Sequence, residues 1–352
     1  MGRREFCAAV LAAVLLAGCS GGGDGDGDRR ATTADGASPA AAPPDLAGLE
    51  GAYVRIVSAV LPSVVQINTD QGEGSGVVYD DAGHIVTNAH VVAGARSLQV
   101  VPSSGGSPLR AQLVGVFEAG DLAVVKVEGA GLRPARFGDS TGLKVGQIVL
   151  AMGSPLGLSG SVTNGIVSAT GRTVTSQRQG AFPGATVSDA VQTSAAINPG
   201  NSGGALVTLN GEVVGIPTLA AGTGSGDLAA GIGFAIPADT VRTIAPQLIS
   251  SGKVTNSGRA ALNVTIAQTF DNATGESGGV AVVSVAEGGA AAAAGLREGD
   301  VIVEVDGRAT PTTTALAEVL ATLKVGQTVP VKIRRDGAEQ TVQVKLGELP
   351  GG

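Results

Sequence analysis

Asn198-Pro199-Gly200-Asn201-Ser202-Gly203-Gly204 places a hydroxyl side chain on a stretch of backbone that its glycines allow to turn sharply. Such a turn lets the amides of Gly200 and Ser202 point at one spot while the Ser202 hydroxyl stands beside it. Two convergent N–H groups next to a nucleophile are what a developing oxyanion requires. Glycine-rich turns bearing serine are also common in plain loops, so the string acquires meaning only from its surroundings. Upstream of it lie short apolar or alternating runs: Val64–Asn68, Gly76–Tyr79, His84–Asn88, Leu98–Val101, Ala111–Phe117 and Leu122–Val127. A second series flanks it: Ile148–Ala151, Ser161–Ala169, Ala190–Gln192, Ala205–Leu209, Val213–Pro217 and Gly233–Ile236. Short strands at this spacing, without strand-helix alternation, predict one or two antiparallel barrels.

The composition agrees with that class. Of 352 residues, 43% are hydrophobic and 15% charged, Trp is absent, and valine, alanine and glycine dominate. The formal charge is −7 and no Lys/Arg cluster follows Arg3-Arg4, which excludes nucleic acid as a partner. Arg3-Arg4, the apolar run Phe6–Ala17 and Leu16-Ala17-Gly18-Cys19 read as an export leader over residues 1–18. The apolar run is shorter than the about 20 residues a bilayer span needs. Its ending resembles a lipoprotein signal in which Cys19 becomes the acylated first residue and the membrane anchor; Arg-Arg-Glu-Phe also resembles a twin-arginine signal. Cys7 and Cys19 are the only cysteines, so no disulfide inside the folded part is expected. Residues 19–45 are rich in Gly, Ala, Asp, Thr and Pro and predict a disordered tether. Asp24, Asp26 and Asp28 lack the closing glutamate of a calcium loop, and no metal or cofactor is expected.

The first folded domain is expected over 46–250, opening with a helix from Leu46 that stops at Pro62 and closing with a helix over Ala238–Ser250. A polar linker, 251–257, leads to a second domain over 258–349. There the pattern predicts strands at Ala261–Phe270, Val280–Val285 and Val301–Val305, helices at Ala290–Ala294 and Thr313–Leu323, and a hairpin Val329–Arg334 / Gln340–Leu346 turning at Asp336-Gly337.

Only two histidines exist. His90 closes the apolar run Ile85-Val86-Thr87-Asn88-Ala89, a rigid carrier from which a base could reach a neighbouring serine; His84 reads as a turn residue. Asp121 opens the apolar strand Leu122–Val127, where a carboxylate is costly unless a donor such as an imidazole N–H awaits it. Asp139, Asp189 and Asp239 are the alternative acids, read as turn, loop and helix-start residues.

The order His90, Asp121, Ser202 is that of chymotrypsin-like peptidases. Gly74-Ser75-Gly76-Val77-Val78, Thr87-Asn88-Ala89-His90-Val91-Val92, Asp121-Leu122-Ala123-Val124-Val125-Lys126, Gly153-Ser154-Pro155-Leu156-Gly157, Gln192 through Gly204, and Gly231-Ile232-Gly233-Phe234-Ala235-Ile236-Pro237 together resemble the HtrA/Deg family of serine endopeptidases. The likeness runs from about residue 53 to the C-terminus. It implies a mainly β fold: a chymotrypsin-like double antiparallel barrel followed by an α+β PDZ domain. It also implies Ser202 as nucleophile, His90 as base, Asp121 as orienting acid, and the amides of Gly200, Asn201 and Ser202 as the oxyanion hole. By the same analogy Ala196, six residues before the nucleophile, and Ile216 line a neutral primary pocket suited to small aliphatic residues. Ser194 stands where the family usually has aspartate.

Gly288-Gly289-Ala290 and Ala294-Gly295-Leu296-Arg297-Glu298-Gly299-Asp300-Val301-Ile302 resemble a bacterial PDZ domain, which takes up a peptide C-terminus along a sheet edge. Its carboxylate loop falls at Ala261-Leu262-Asn263-Val264; Asn263 replaces the usual glycine and takes left-handed geometry less readily. Leu316 and Leu320 either line the groove or belong to the core. The resemblance further implies a homotrimer, loops around 171–189 and 220–231 that order on activation, and unfolded or mislocalised extracytoplasmic polypeptides as substrates. The competing expectation is a non-catalytic holdase or scaffold lipoprotein that uses its PDZ domain alone.

Overall fold

The computed structural model describes residues 44–350 apart from 130, 155–159, 177–179, 199, 223–227 and 271–276. The expected leader, Cys19 and nearly all of the tether therefore lie outside the described residues, as do Pro199 and parts of the 171–189 and 220–231 loops.

Helix α1 (Pro44–Val60) runs to a 3-10 turn at Leu61–Ser63, where Pro62 ends it. Strands β1 (Val64–Thr69), β2 (Glu73–Val78), β3 (His84–Thr87), β4 (Leu98–Pro102), β5 (Leu109–Phe117) and β6 (Leu122–Val127) close a barrel in the order β1-β2-β3-β6-β5-β4. The one-turn helix α2 (Ala89–Val92) follows β3. Strands β7 (Ile148–Gly153), β8 (Ser161–Thr175), β9 (Thr186–Thr193), β10 (Ala205–Thr208), β11 (Val213–Gly222) and β12 (Leu228–Pro237) close a second barrel, and α3 (Ala238–Ser251) follows.

The continuous apolar runs have a physical reason, for these strands are buried on both faces. In the first barrel Val78, Ile85 and Val125 point into the barrel with Val65, Ile67 and Val100. Their neighbours Val77, Val86 and Val124 point the other way, into a core between the barrels. The second barrel repeats the device, with Val149 and Ala151 inside and Leu150 and Met152 in the shared core. Helix α3 seals that core with Val241, Ile244, Ala245 and Leu248, one helical face, and Tyr53, Ile56 and Val57 of α1 pack on it.

The C-terminal module holds β13 (Ala260–Ala261), β14 (Val264–Phe270), β15 (Ser277–Val285), α4 (Ala290–Ala294), β16 (Val301–Val305), β17 (Arg308–Ala309), α5 (Thr313–Ala321), β18 (Thr328–Arg335), β19 (Ala338–Lys345) and β20 (Gly347–Glu348). Its main sheet runs β14-β15-β16-β18-β19, and β13 pairs with β20. The single strand expected from Ala261 is split, because Asn263 is left-handed at φ 58° and breaks the ladder. The hairpin turns at Asp336-Gly337, where both residues have positive φ, as a two-residue turn of this hand demands.

Asp300 is 1% exposed beneath this sheet. Arg335 grips its carboxylate from two nitrogens, at 2.6 and 2.7 Å, and the Arg297 amide donates at 2.8 Å. Burial alone would raise the Asp300 pKa, but the Arg335 and Arg297 donors outweigh it and hold the carboxyl below its ordinary range. A depressed carboxyl contributes stability above the unfolded-state pKa of about 4 and loses it as pH falls through the lower folded value. Asp300→Asn is expected to cost on the order of 2 kcal/mol at pH 7 in urea unfolding followed by circular dichroism. The gap between variant and parent should begin to shrink below about pH 4, where the carboxyl of the unfolded parent takes up its proton, and close below the lower folded value.

Candidate active site

His90 sits in α2, directly after β3, and its side chain is 19% exposed. Asp121 leads into β6 from a 3-10 turn, Glu118–Gly120, in left-handed geometry at φ 56° and ψ 38°. Aspartate tolerates that conformation better than most residues because its short polar side chain bonds locally. Here it is 1% exposed and well supplied with donors. The His90 amide reaches Oδ1 at 3.0 Å, and His90 Nδ1 lies 3.0 Å from Oδ1 and 2.8 Å from Oδ2. The Thr218 hydroxyl of β11 donates to Oδ2. The Asp121 carbonyl accepts from the Asn88 side chain at 3.0 Å and from the Ala89 amide at 3.2 Å. A carboxylate facing Nδ1 fixes the tautomer with the proton there, which leaves Nε2 free to accept one.

The Ser202 loop is held as closely. Gly200 and Gly203 have φ of 98° and 81°. A Cβ on Gly203 would come within 2.2 Å of the Ser75 carbonyl oxygen, so glycine is required there for conformation and for space. The Gly203 amide donates to Pro217 O at 2.9 Å, and the Gly204 amide to Asn201 O at 3.0 Å. The Asn201 amide is engaged with Asn198 O at 3.0 Å, so among the three amides expected at the oxyanion it already has a partner. Those of Gly200 and Ser202 donate to no described carbonyl. The Ser202 hydroxyl donates to Thr218 O at 3.4 Å, and no hydrogen bond joins it to His90.

Ala196 is exposed next to this loop, its carbonyl accepting from Thr163 Oγ1 at 2.8 Å and from the Asn201 side chain at 3.3 Å. Ile216, expected to share a pocket with it, is instead fully buried in the core between the barrels. Ser194 accepts a hydrogen bond from the Ile166 amide at 3.0 Å. Of the alternative acids, Asp239 bonds Ser140 and Arg242, away from His90, and His84 pairs with Asp80 in the turn before β3.

Two neighbours escaped the sequence reading. Thr218 is the one polar side chain of the strand Val-Val-Gly-Ile-Pro-Thr-Leu-Ala-Ala-Gly, a signal that was present in the pattern. Phe182, buried with Ala89 and Ala185, sets its ring 5.9 Å from the His90 ring, tilted at 58°. Only the fold brings it there.

A cavity of about 410 Å³ lies in the C-terminal module between β14 and α5. Leu262, Asn263, Val264 and Ile266 line one wall, and Leu316 and Leu320 the other; Leu262 and Leu316 also belong to the module's core. The amides of Leu262 and Asn263 donate to no described carbonyl. Asn263 is fastened by its own side chain, donating to Glu348 O at 2.8 Å and accepting from the Ala290 amide at 3.3 Å.

The comparisons with known proteins match this division. A trypsin-like peptidase domain matches residues 74–216 and a PDZ domain residues 264–346. The serine protease PepD of Mycobacterium tuberculosis is 40% identical over 317 residues, 85% of this chain and 66% of that protein. The chain thus spans about two thirds of its length. The serine protease Do-like HtrA of Lactococcus lactis is 41% identical over 293 residues, 78% of this chain and 71% of that one. Among solved structures, a serine endoprotease from Yersinia pestis superposes with a TM-score of 0.55 at 33% identity, covering 84% of this chain and 98% of that one.

Hydrogen bonds to charged groups contribute about 1.5–3 kcal/mol. Thr218→Val, which removes one donor from Asp121 at nearly constant volume, should therefore slow phosphonylation of Ser202 by a fluorophosphonate about 10- to 100-fold. Stopped-time labelling and mass spectrometry check this, with thermal melting as the control for folding.

Proposed function

The chain belongs to the HtrA/DegP family of serine proteases, with a trypsin-like domain and one PDZ domain, and from that membership we propose that it is an ATP-independent endopeptidase acting on unfolded or mislocalised polypeptides outside the cytoplasm. The observation that carries this reading is the buried Asp121 carboxylate bonded to His90 Nδ1 beside the glycine-framed Ser202 turn.

The steps follow from the donors and acceptors. The Ser202 hydroxyl turns from Thr218 O toward His90, gives its proton to Nε2, and its oxygen attacks the peptide carbonyl carbon. The carbonyl oxygen becomes an oxyanion at the Gly200 and Ser202 amides, and Asn201 adds its own if it releases Asn198 O. Asp121 stabilises the imidazolium that forms. Collapse of the intermediate breaks the C–N bond, and His90 returns the proton to the leaving amine. Water then loses a proton to His90 and attacks the Ser202 ester; the acyl–oxygen bond breaks, His90 gives that proton to Ser202 Oγ, and the acid leaves. No nucleotide or metal enters this sequence.

Ala196 presents a small neutral surface beside the loop, which supports cleavage after small aliphatic residues such as Val and Ala. A peptide panel in which cleavage after Lys or Arg exceeds that after Val would overturn this specificity. The groove of the PDZ domain, with the amides of Leu262 and Asn263, which donate to no described carbonyl, at one end, supports binding of peptide C-termini. Cys19 serves as the lipid anchor in the cell envelope, and the assembly is a homotrimer; both rest on the resemblance. No helix among the described residues is long and apolar enough to cross a membrane.

The test is casein cleavage by the full chain beside its Ser202→Ala variant, with and without a peptide that fills the PDZ groove. Cleavage by the parent and at least a 10³-fold loss in the variant are expected. If neither cuts while both suppress aggregation of an unfolded protein, the holdase reading replaces this one.

A further inference from the structure

Ser75, in β2, lies outside the triad and the oxyanion amides, yet it makes more bonds to the nucleophile loop than any triad residue does. It is fully buried. Its amide donates to Ser202 O at 2.8 Å and its hydroxyl to Gly200 O at 2.5 Å. The same hydroxyl accepts from the Ser154 amide at 2.9 Å, at the end of β7. Its carbonyl accepts from Thr87 Oγ1 at 2.7 Å, three residues before His90.

A peptide unit is planar, so fixing one carbonyl fixes the N–H across the same bond. The Ser75 hydroxyl holds the C=O of the unit joining Gly200 and Asn201, whose N–H is held by Asn198 O. The Ser75 amide holds the C=O of the unit joining Ser202 and Gly203, whose N–H is held by Pro217 O. Between these two clamped units lies the unit that carries the Ser202 N–H. That unit's own carbonyl, Asn201 O, takes the Gly204 amide at 3.0 Å from within the loop. Because Gly200 and Gly203 have the widest backbone freedom, the placement of the loop as a whole against the strands comes from the bonds that leave it, to Ser75 and Pro217. The Ser154 amide supplies the last constraint: it occupies a lone pair of the hydroxyl and aims the single proton at Gly200 O.

We propose that Ser75 is a positioning residue that holds the Ser202 amide and hydroxyl in register with His90, tying the nucleophile loop to the strand that carries the base. The proposal rests on Ser202 being the nucleophile. A serine that merely satisfied buried partners would leave turnover and binding affected alike when removed, whereas one that orients the oxyanion donors acts on the transition state.

The experiment compares the full chain with Ser75→Ala and with Ser75→Cys, which preserves bulk should the alanine variant fold poorly. Peptide cleavage is measured with the PDZ groove saturated by peptide, together with affinity for a peptidyl boronic acid, which forms a tetrahedral adduct on Ser202. Removing a direct oxyanion donor costs about 10²–10³ in kcat, and an indirect one is expected to cost about 10- to 100-fold, with KM within about twofold. Boronate affinity should fall by the same factor as kcat, while affinity of the PDZ groove for its peptide stays unchanged. A folded variant whose kcat lies within twofold of the parent overturns the proposal. So does one whose boronate affinity is intact despite slow turnover. If the parent itself neither cleaves nor takes up boronate, the reading of Ser202 fails first and this inference with it.

Discussion

A carboxylate with almost no exposure to water sits where two barrels meet, and the architecture is arranged so that it can. An unpaired charge in that position would cost several kcal/mol, and a half-satisfied one is worse than an apolar residue of the same size. Asp121 is made tolerable by donors from both barrels: the amide and imidazole of His90 from the first, and the hydroxyl of Thr218 from the second. Separating the barrels would therefore strip donors from a buried anion as well as expose the apolar core between them. Chemistry and stability depend on the same junction.

The junction also explains which parts of the chain were legible as sequence. Strands such as Leu122–Val127 and Ile148–Gly153 are apolar on both faces because one face fills a barrel and the other the shared core, and so they appear as unbroken runs. The need for a buried donor beside Asp121 followed from an acid placed at the head of such a run, whereas its left-handed conformation did not. Ile216 shows the limit of that reasoning. Its place in the strand was clear, but the face it presents depends on the register of β11 against β12, where Ile216 pairs with Ile236. Phe182 and Ser75 were hidden for a related reason: each acts on a residue far away in the chain, across a contact that local pattern does not encode. The short strands β17 and β20 carry too few residues to show a period.

The two departures from the family pattern turn out to be locally accommodated. Asn263 takes the left-handed conformation that glycine would take freely, and its side-chain amide repays part of the strain by bonding to β20 and to the start of α4. The loop 261–264 is thereby stitched to the module's last strand by a bond that glycine could not make. Ser194 needs no charge to hold its place, since its hydroxyl takes the Ile166 amide of β8. An aspartate there would accept the same bond and bring a negative charge to the rim of the loop that follows.

Arg259 connects the two sites in physical terms. Its guanidinium donates at 2.6 Å to the carbonyl of Ala119, in the turn that leads into Asp121, and the same residue lines the groove between β14 and α5. Burial lowers its pKa to about 10, and a carbonyl, being neutral, offsets only part of that desolvation. A carboxylate reaching the groove would be attracted to this cation more strongly than the carbonyl is, because charge-assisted hydrogen bonds are roughly twice as strong as neutral ones. The turn that leads into Asp121 and the groove between β14 and α5 thus share one residue, Arg259.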